Sequence, residues 1–272
     1  MKGIDIIIPV HEYNTEVSEL LKRCLESVQA MALINNDIKV KTNVCIVGPA
    51  LPSEEIMKLI EWGSEFTSFN ILENNGETDF CSQVNYAVEN GCQNDYFTVI
   101  EFDDIVTAKW VKMALPYIES RPKCPLFLPL VEVYDIKNPT TPLHYINELG
   151  WSSSFAENEL GSLSNSALQD YCNFNFTGSI VKRNDFLKAG GLKPSIKLAF
   201  GYELLLRLAH FNKEVYVIPK VGYFHFVNRD NSLMSEYHRT MTQEEGSWWI
   251  KLAIEEYQYK KDRNKTYSPD EK

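Results

Sequence analysis

Four short apolar runs alternate with amphipathic segments over the first hundred residues of this chain. The runs are rich in β-branched residues, which favours buried strands, and the segments carry apolar residues at helical spacing. This alternation predicts parallel strands joined by right-handed helical crossovers, and therefore an open α/β sheet that binds ligands at the carboxyl ends of its strands. The predicted strands span residues 4–9, 43–47, 69–72 and 96–100, and the helices between them begin near Thr15, Ser53 and Asp79, with Thr15 and Asp79 as N-caps.

The rhythm changes after Pro116, because five prolines between residues 122 and 142 interrupt any helical pattern. We expect a strand at residues 126–134 in a mixed region, followed by long polar loops or a flap over residues 144–172. Further predicted elements are a strand at 178–181, helices from Asn184 and at 202–211, strands at 215–218 and 223–228, and a helix at 235–262. The predicted main domain covers residues 1–235, with halves 1–120 and 121–235, and a helical extension with a polar tail covers 236–272, fraying from residue 260.

The chain of 272 residues has 37 acidic and 27 basic residues and a net charge of −10. This balance argues against a broad electropositive surface for nonspecific nucleic-acid binding, so a phosphate-bearing ligand would need a metal or a local cluster of donors. No apolar window reaches the length of a membrane span, and the apolar run near the N-terminus is too short for a signal sequence. Six scattered cysteines without zinc-site spacing are expected to be reduced thiols, which fits a cytoplasmic protein.

Three carboxylates within four residues, Glu101, Asp103 and Asp104, follow the fourth predicted strand. Because side chains alternate along a strand, we expect Glu101 and Asp103 on one side and Phe102 in the core. Two such carboxylates can hold Mg²⁺ or Mn²⁺, which complete their coordination with water and substrate phosphate. An alternative interpretation is an acidic turn in which Asp103 or Asp104 caps a helix over residues 107–118.

Several segments, in their order and spacing, match a known enzyme family. They are IIIPVHEYN, LLKRCLESV, NNGETDFCSQVNYAVENG, DYFTVIEFDDIVTAKWV, FTGSIVKRNDFLKAGGL and GYELLLRLA. Over residues 4–235 the chain resembles the family 2 glycosyltransferases of GT-A fold. The resemblance implies an α/β protein with a Rossmann-like, mostly parallel central sheet, helices on both faces, a mixed acceptor-side region and a C-terminal helix. It also implies a metal-dependent, inverting transfer of sugar from a nucleotide-diphosphate sugar, with a UDP-sugar as the expected donor and a glycan, protein or other acceptor.

The resemblance and the residue chemistry together assign candidate site residues. Glu101, Asp103 and His225 would bind Mn²⁺ or Mg²⁺, and Trp151 would offer an aromatic face to the acceptor. Three of the assignments have competing interpretations. The loop at residues 9–14 could be a simple strand-to-helix turn, Asn85 could be a buried amide that ties two loops together, and His225 could be a core residue. The expected nucleotide-sugar contacts are Pro9, Val10, His11, Glu12, Tyr13, Asn75, Gln83, Asn85, Glu101, Phe102, Asp103 and Arg229.

Two departures from the family pattern affect the chemistry. The second strand ends in Val-Gly-Pro at residues 47–49 rather than in acidic residues that would bind the base or ribose. Phe-Gly at residues 200–201 replaces the acidic pair that supplies the catalytic base, so Glu203, Asp104 or a loop carboxylate such as Asp170 would have to take the acceptor proton. Two rival classes stay open: a noncatalytic GT-A module that binds a nucleotide sugar or glycan, and a nucleotidyltransferase, which usually carries a glycine-rich basic loop that this chain lacks.

Overall fold

The computed structural model describes residues 1–64, 66–153, 159–212, 214–230 and 232–266. Within these ranges ten strands form one sheet, and a short 3₁₀ helix spans Glu148–Trp151. The strands are β1 (Gly3–Pro9), β2 (Lys41–Gly48), β3 (Ser68–Glu73), β4 (Tyr96–Val99), β5 (Ile105–Val106), β6 (Leu126–Asp135), β7 (His144–Ile146), β8 (Ser162–Leu163), β9 (Ile180–Lys182) and β10 (Val215–Val227). The helices are α1 (Thr15–Asp37), α2 (Ser53–Gly63), α3 (Phe80–Asn90), α4 (Trp110–Ser120), α5 (Asn165–Asp170), α6 (Arg183–Ala189), α7 (Phe200–Asn212), α8 (Leu233–Thr240) and α9 (Gln243–Thr266).

The sheet has the order β3-β2-β1-β4-β9-β6-β10-β5, with β7 paired to β6 and β8 paired to β10. Strands β1 to β4 run parallel to their neighbours among themselves, and β10 is parallel to β6. The short strand β9 is antiparallel to both β4 and β6, and so joins the two parallel parts. The predicted α/β class, with a mostly parallel sheet and a mixed second half, is confirmed.

The apolar residues of β1 explain why helices cover both faces of the sheet. Ile4, Ile6 and Ile8 are fully buried in one core cluster with residues of α1 and α4. Ile7 is buried in a second cluster with residues of α3, α6 and α7. A strand covered on both sides reads as a continuous apolar run, which is the pattern that the sequence shows.

The carboxyl ends of the parallel strands meet at one edge of the sheet. The Asn74 N–H donates to the Gly48 carbonyl (2.8 Å), which joins the ends of β3 and β2. The Ile100 N–H donates to the Ile7 carbonyl (2.9 Å), which joins the segment after β4 to β1. The loops that follow these strands therefore lie side by side, at the edge where an open α/β sheet binds its ligands.

At the opposite edge, the buried carboxylate of Asp5 organises the turn that precedes β4. Its Oδ1 accepts from the side-chain amides of Asn43 (3.0 Å) and Asn94 (2.7 Å). Its Oδ2 accepts from the backbone N–H groups of Gln93 (2.8 Å) and Asn94 (2.7 Å). The one charged residue within the apolar run of β1 is therefore fully paired and structural.

Two helix caps were predicted, and one of them is confirmed. The side chain of Asp79 accepts from the Ser82 N–H (3.1 Å) and caps α3. The N-cap of α1 is Asn14 rather than Thr15, because the Asn14 side chain accepts from the Val17 N–H (3.0 Å). Both residue types are good caps, so the sequence pattern could not separate two adjacent candidates.

The second half differs from the predicted elements in three places. The described part of residues 144–172, expected as long polar loops or a flap, contains β7, the 3₁₀ helix, β8 and α5. β10 is one strand of thirteen residues, where two strands were predicted, because register shifts between Val217 and Tyr223 absorb the intervening proline and glycine as a bulge. The C-terminal segment forms α8 and α9 rather than one helix, and α9 continues past residue 260 to Thr266. Residues 267–272 of the predicted tail and 154–158 of the predicted loops lie outside the described residues.

The described helices include none that is both long and apolar enough to cross a bilayer. All six cysteines are free thiols; five are buried, and Cys172 is partly exposed. Burial raises the pKa of the Cys45 thiol to about 12. The buried cysteines therefore act as small apolar core residues.

Candidate functional site

The acidic turn, residues 101–104, lies just beyond the end of β4. The strand ends at Val99, and the Asp104 N–H donates to the Glu101 carbonyl (3.0 Å), which closes a turn. The expected alternation of Glu101 and Asp103 along a strand therefore does not apply here. Neither Asp103 nor Asp104 caps α4, which begins at Trp110. Phe102 is buried, as expected.

The turn brings its first and last carboxylates together with a histidine of β10. Among the described residues, Glu101, Asp104 and His225 form a group whose possible ligand atoms all lie within 4.8 Å of one another. Asp104 is fully buried; its Oδ2 lies 2.8 Å from His225 Nδ1, and its Oδ1 accepts from the Phe226 N–H (2.8 Å). The Glu101 N–H donates to the Tyr223 hydroxyl (3.0 Å). Tyr223, His225 and Phe226 of β10 thus hold the backbone of Glu101 and the carboxylate of Asp104. We call Glu101, Asp104 and His225 the metal-candidate cluster.

The close packing of charge changes the proton affinities of the metal-candidate cluster. Burial and the neighbouring Asp104 carboxylate raise the pKa of Glu101 to about 8. Burial lowers the pKa of His225, but Asp104, together with Glu101 and Asp103, outweighs this effect and raises it to about 10. The cluster therefore keeps protons near neutral pH that a divalent cation can replace. Two carboxylates and one imidazole are a donor set that suits Mn²⁺, and Mg²⁺ would use the carboxylates.

Asp103, predicted as a metal ligand, is directed to other partners. The Arg229 Nε donates to Asp103 Oδ2 (2.9 Å), and the Arg23 Nη2 donates to the Asp103 carbonyl (2.5 Å). Burial and the Asp104 carboxylate raise the pKa of Asp103, while Arg229 opposes that rise. Arg229 Nη1 also lies 3.9 Å from Glu12 Oε1. The turn therefore presents Asp104 to a histidine and Asp103 to an arginine.

The loop that follows β1 reaches the acidic turn. Residues 9–10 are buried at the end of the strand. The His11 ring lies 5.5 Å from the Phe102 ring, and burial lowers the pKa of His11. The Tyr13 hydroxyl donates to a carboxylate of α2 (2.9 Å), whereas the Glu12 side chain is 44% exposed. His11 thus contacts the acidic turn through Phe102, and Glu12 faces Arg229.

Asn75 and Gln83, two of the predicted nucleotide contacts, hold loops at the ligand-binding edge. The Asn75 Oδ1 accepts from the Ala50 N–H (2.9 Å), which joins the loops after β3 and β2. Gln83 is fully buried, and its Nε2 donates to the carbonyls of Asn74 (3.3 Å) and Glu77 (3.1 Å). Both side chains therefore shape the loops through backbone groups.

Asn85 ties α3 to the loop that follows α6. Its Nδ2 donates to the Leu192 carbonyl and its Oδ1 accepts from the Leu192 N–H, both at 2.8 Å. The adjacent Gly191 has φ +67°, and a Cβ there would come within 2.5 Å of Asn85 Oδ1. Both polar ends of the amide are engaged, which favours the structural interpretation of Asn85 over nucleotide contact.

Glu203, the predicted catalytic base, is buried and paired with two cations, Arg207 and Lys193. It is fully buried; Oε2 accepts from Arg207 Nη2 (2.8 Å), and Oε1 lies 2.8 Å from Lys193 Nζ. Arg207 also donates to the Gly191 carbonyl (2.6 Å). A carboxylate without exposed surface, held between two cations, cannot meet an acceptor hydroxyl, so this geometry argues against Glu203 as the base.

The other residues predicted for the acceptor side are dispersed. Asp104 is buried with both oxygens engaged, and Asp170 is exposed at the end of α5. The Trp151 indole N–H donates to a carbonyl of β10 (2.8 Å), and its ring is half buried. The Phe200 ring lies 5.3 Å from that of Phe80, so the segment that replaces the acidic pair packs as an aromatic contact.

Two side chains that hold the acidic turn were not predicted. Tyr223 has the pattern of a core residue, and nothing local indicates that its hydroxyl accepts the Glu101 N–H. Arg23 precedes the buried Cys24 in α1, so it lies next to the buried face of the helix. That position could have indicated a partner inside the protein. Its guanidinium lies 4.3 Å from the centre of the Phe226 ring and bonds the turn's backbone.

Several solved structures are similar to this chain, although no family model and no curated protein matches it. S. aureus TarS 1–349 in complex with UDP-GlcNAc matches with a TM-score of 0.60 and 13% identity, over 86% of this chain and 61% of that chain. The mannosyltransferase PcManGT from Pyrobaculum calidifontis, in complex with GDP-Man and Mn²⁺, matches with 0.58 and 13%, over 87% and 60%. GalNAc-T7 with UDP, GalNAc and Mn²⁺ matches with 0.56 and 10%, over 83% and 44%.

The likeness covers most of this chain but only part of its neighbours. The chain spans 37% of the longer TarS structure and 60% to 73% of the TarS 1–349 structures. At these identities the likeness concerns the arrangement of the backbone. This chain has the GT-A glycosyltransferase fold.

Proposed function

We propose that this protein is a metal-dependent glycosyltransferase that moves a sugar from a nucleotide-diphosphate sugar to an acceptor. The observation that carries the proposal is the metal-candidate cluster of Glu101, Asp104 and His225 at the carboxyl end of β4, with Arg229 nearby. Neighbours of the same fold were solved with UDP-GlcNAc, with GDP-Man and Mn²⁺, and with UDP, GalNAc and Mn²⁺.

The residues of the edge divide into three roles in this proposal. A divalent cation in the cluster would neutralise the diphosphate and stabilise it as the leaving group. Arg229 adds a positive charge beside the phosphates, and His11, which packs on the buried Phe102 ring, offers a ring surface to the base or ribose. The proposed donor is a UDP-sugar and the proposed outcome is inversion by direct displacement. Membership of family 2 stays a prediction.

A second candidate function is a noncatalytic module that binds a nucleotide sugar. Attack by an acceptor hydroxyl needs a group that takes its proton. Glu203 is buried between Arg207 and Lys193, and Asp104 is engaged by His225 and a backbone N–H, which favours this alternative. An acceptor that is already ionised would not need the missing base.

Calorimetric titration of UDP and GDP, with and without Mn²⁺, tests the binding site. We expect binding that Mn²⁺ strengthens, with only weak binding in its absence, and that weakens about 10-fold or more in Asp104→Asn, because the variant removes a charged ligand while keeping the side-chain shape. Asp170→Asn changes an exposed carboxylate at the end of α5 and is the matched control. Metal-independent binding that survives Asp104→Asn would contradict the proposal.

Release of nucleoside diphosphate separates the two candidate functions. UDP-sugars and GDP-sugars are incubated with Mn²⁺ and a panel of glycan and peptide acceptors, and free UDP or GDP is measured. Acceptor-dependent release supports the transferase. Tight binding of a donor without release across the panel supports the noncatalytic module.

A further inference from the structure

The geometry points to Arg229 as a positioning residue that exchanges partners: it holds Asp103 away from the cation until a nucleoside diphosphate takes its guanidinium. The inference deepens the proposed function and rests on it. It explains why Asp103, although it belongs to the acidic turn, is absent from the metal-candidate cluster. It also couples the binding of the divalent cation to the binding of the nucleoside diphosphate.

Arg229 is buried but incompletely paired. Its side chain is 4% exposed, and its Nε donates to Asp103 Oδ2 (2.9 Å). Among the described residues, Arg229 Nη1 has no hydrogen-bond partner, and the same holds for Glu12 Oε1, 3.9 Å away. A buried guanidinium N–H without an acceptor costs free energy, which an anionic ligand at this position would recover.

The backbone of Arg229 is anchored, so that a change of partner can be confined to its side chain. The Arg229 carbonyl accepts from Ser235 Oγ (2.7 Å) and from the Ser232 N–H (3.1 Å). Its guanidinium lies 5.1 Å from the centre of the Phe102 ring, a stacking contact that leaves the edge of the guanidinium available. A planar guanidinium with free N–H groups can bind a phosphate through two parallel hydrogen bonds.

Arg229 and a divalent cation therefore compete for the Asp103 carboxylate. Without a nucleotide, Arg229 neutralises Asp103 and repels a second cation that approaches the acidic turn. A diphosphate offers Arg229 another anion and frees Asp103 to face the cation. Because binding free energies are reciprocal, the cation must in turn strengthen diphosphate binding by the same factor.

Arg229→Gln tests this exchange, because glutamine can still donate to Asp103 but carries no charge. Binding of Mn²⁺ alone is followed by calorimetry and by water-proton relaxation, and binding of UDP is then measured at saturating Mn²⁺. We expect Mn²⁺ to bind on the order of 3- to 10-fold more tightly and UDP about 10-fold or more weakly. The two opposite changes distinguish an exchange from a general loss of structure.

Two variants serve as controls. Lys137 pairs with Asp230, the residue next to Arg229, in an exposed contact of 2.9 Å. Lys137→Gln removes the same charge from the same side of the site, and we expect both affinities to stay at the wild-type value. Arg229→Lys keeps the charge without the planar donor pair, so Mn²⁺ affinity should match the wild type while UDP affinity falls.

Asp103→Asn gives the reciprocal measurement if Arg229→Gln proves poorly folded. It releases Arg229 from its charged partner, and metal-free UDP binding should strengthen several-fold. Unchanged or weaker Mn²⁺ binding in a folded Arg229→Gln, or unchanged metal-free UDP binding in Asp103→Asn, overturns the inference. If the wild type binds no UDP with Mn²⁺, the proposed function fails first, and the exchange falls with it.

Discussion

Glu203→Gln is expected to weaken the fold while leaving the donor site intact. The substitution removes the negative charge that lies 2.8 Å from both Arg207 and Lys193, but it keeps the size of the side chain and one acceptor oxygen. The Arg207 side chain is 5% exposed and that of Lys193 is 31% exposed. The buried guanidinium therefore carries most of the penalty, since solvent screens the ammonium.

The size of the stability loss depends on the hydrogen bonds that Arg207 and Lys193 keep in the variant. Removing one partner of a buried ion pair costs about 3–5 kcal/mol, because the other charge stays buried. Arg207 retains its bonds to the carbonyls of Ala189 and Gly191, which lowers this figure. We expect a loss of about 2–4 kcal/mol in the free energy of unfolding, and a fall in Tm of roughly 5–10 °C.

Thermal and urea unfolding followed by circular dichroism measure the loss of stability, and calorimetry of UDP with Mn²⁺ reports on the donor site. Glu244→Gln, which changes an exposed carboxylate at the start of α9, is the control and should alter neither quantity. An unchanged Tm together with a fall in kcat of about 100-fold or more would refute this reasoning and restore Glu203 as a catalytic base.

Three further predictions concern other parts of the chain. Asp5→Ala leaves four partly buried donor groups without their acceptor and should cost about 3 kcal/mol in urea unfolding; a loss below about 1 kcal/mol would mean that water replaces the carboxylate. A native thiol titration should modify Cys172 first, while Cys45 and the other buried cysteines react only on unfolding; rapid reaction of all six would contradict their burial. Mn²⁺ affinity should rise from pH 6.5 to 8.5 in calorimetry, because the cation displaces protons from Glu101 and His225, whose pKa values are raised to about 8 and about 10; a flat profile would place the ion elsewhere.

The features that were predictable from the sequence depend on local patterns. The strands of the first half follow from apolar runs of β-branched residues, and Asp79 follows from the rule that an acidic residue before an apolar period caps a helix. The position of the acidic turn is also local, since it requires only a strand that ends in charge. These features need no knowledge of distant residues.

The features that were not predictable depend on distant partners or on one-residue differences. Periodicity could not show that β4 ends before Glu101, and this single boundary decides whether Asp103 or Asp104 joins Glu101. Helix phase indicated that Glu203 could face a site, but the cation of Lys193 comes from a loop that has no periodic signal. The role of a polar residue at the end of an element is therefore set by the partner that tertiary packing brings to it.

The order in which the chain is synthesised has a consequence for this edge of the sheet. The contacts of the acidic turn with β10 and the loop after it join residues 121 to 126 positions apart: Asp104 with His225, Glu101 with Tyr223, and Asp103 with Arg229. A nascent chain that has exposed only the first four strands carries the carboxylates without the groups that orient them. Under the proposed function, cation capture by the growing polypeptide would be delayed until β10 has left the ribosome and paired with β6, and metal loading would be a late reporter of completed folding.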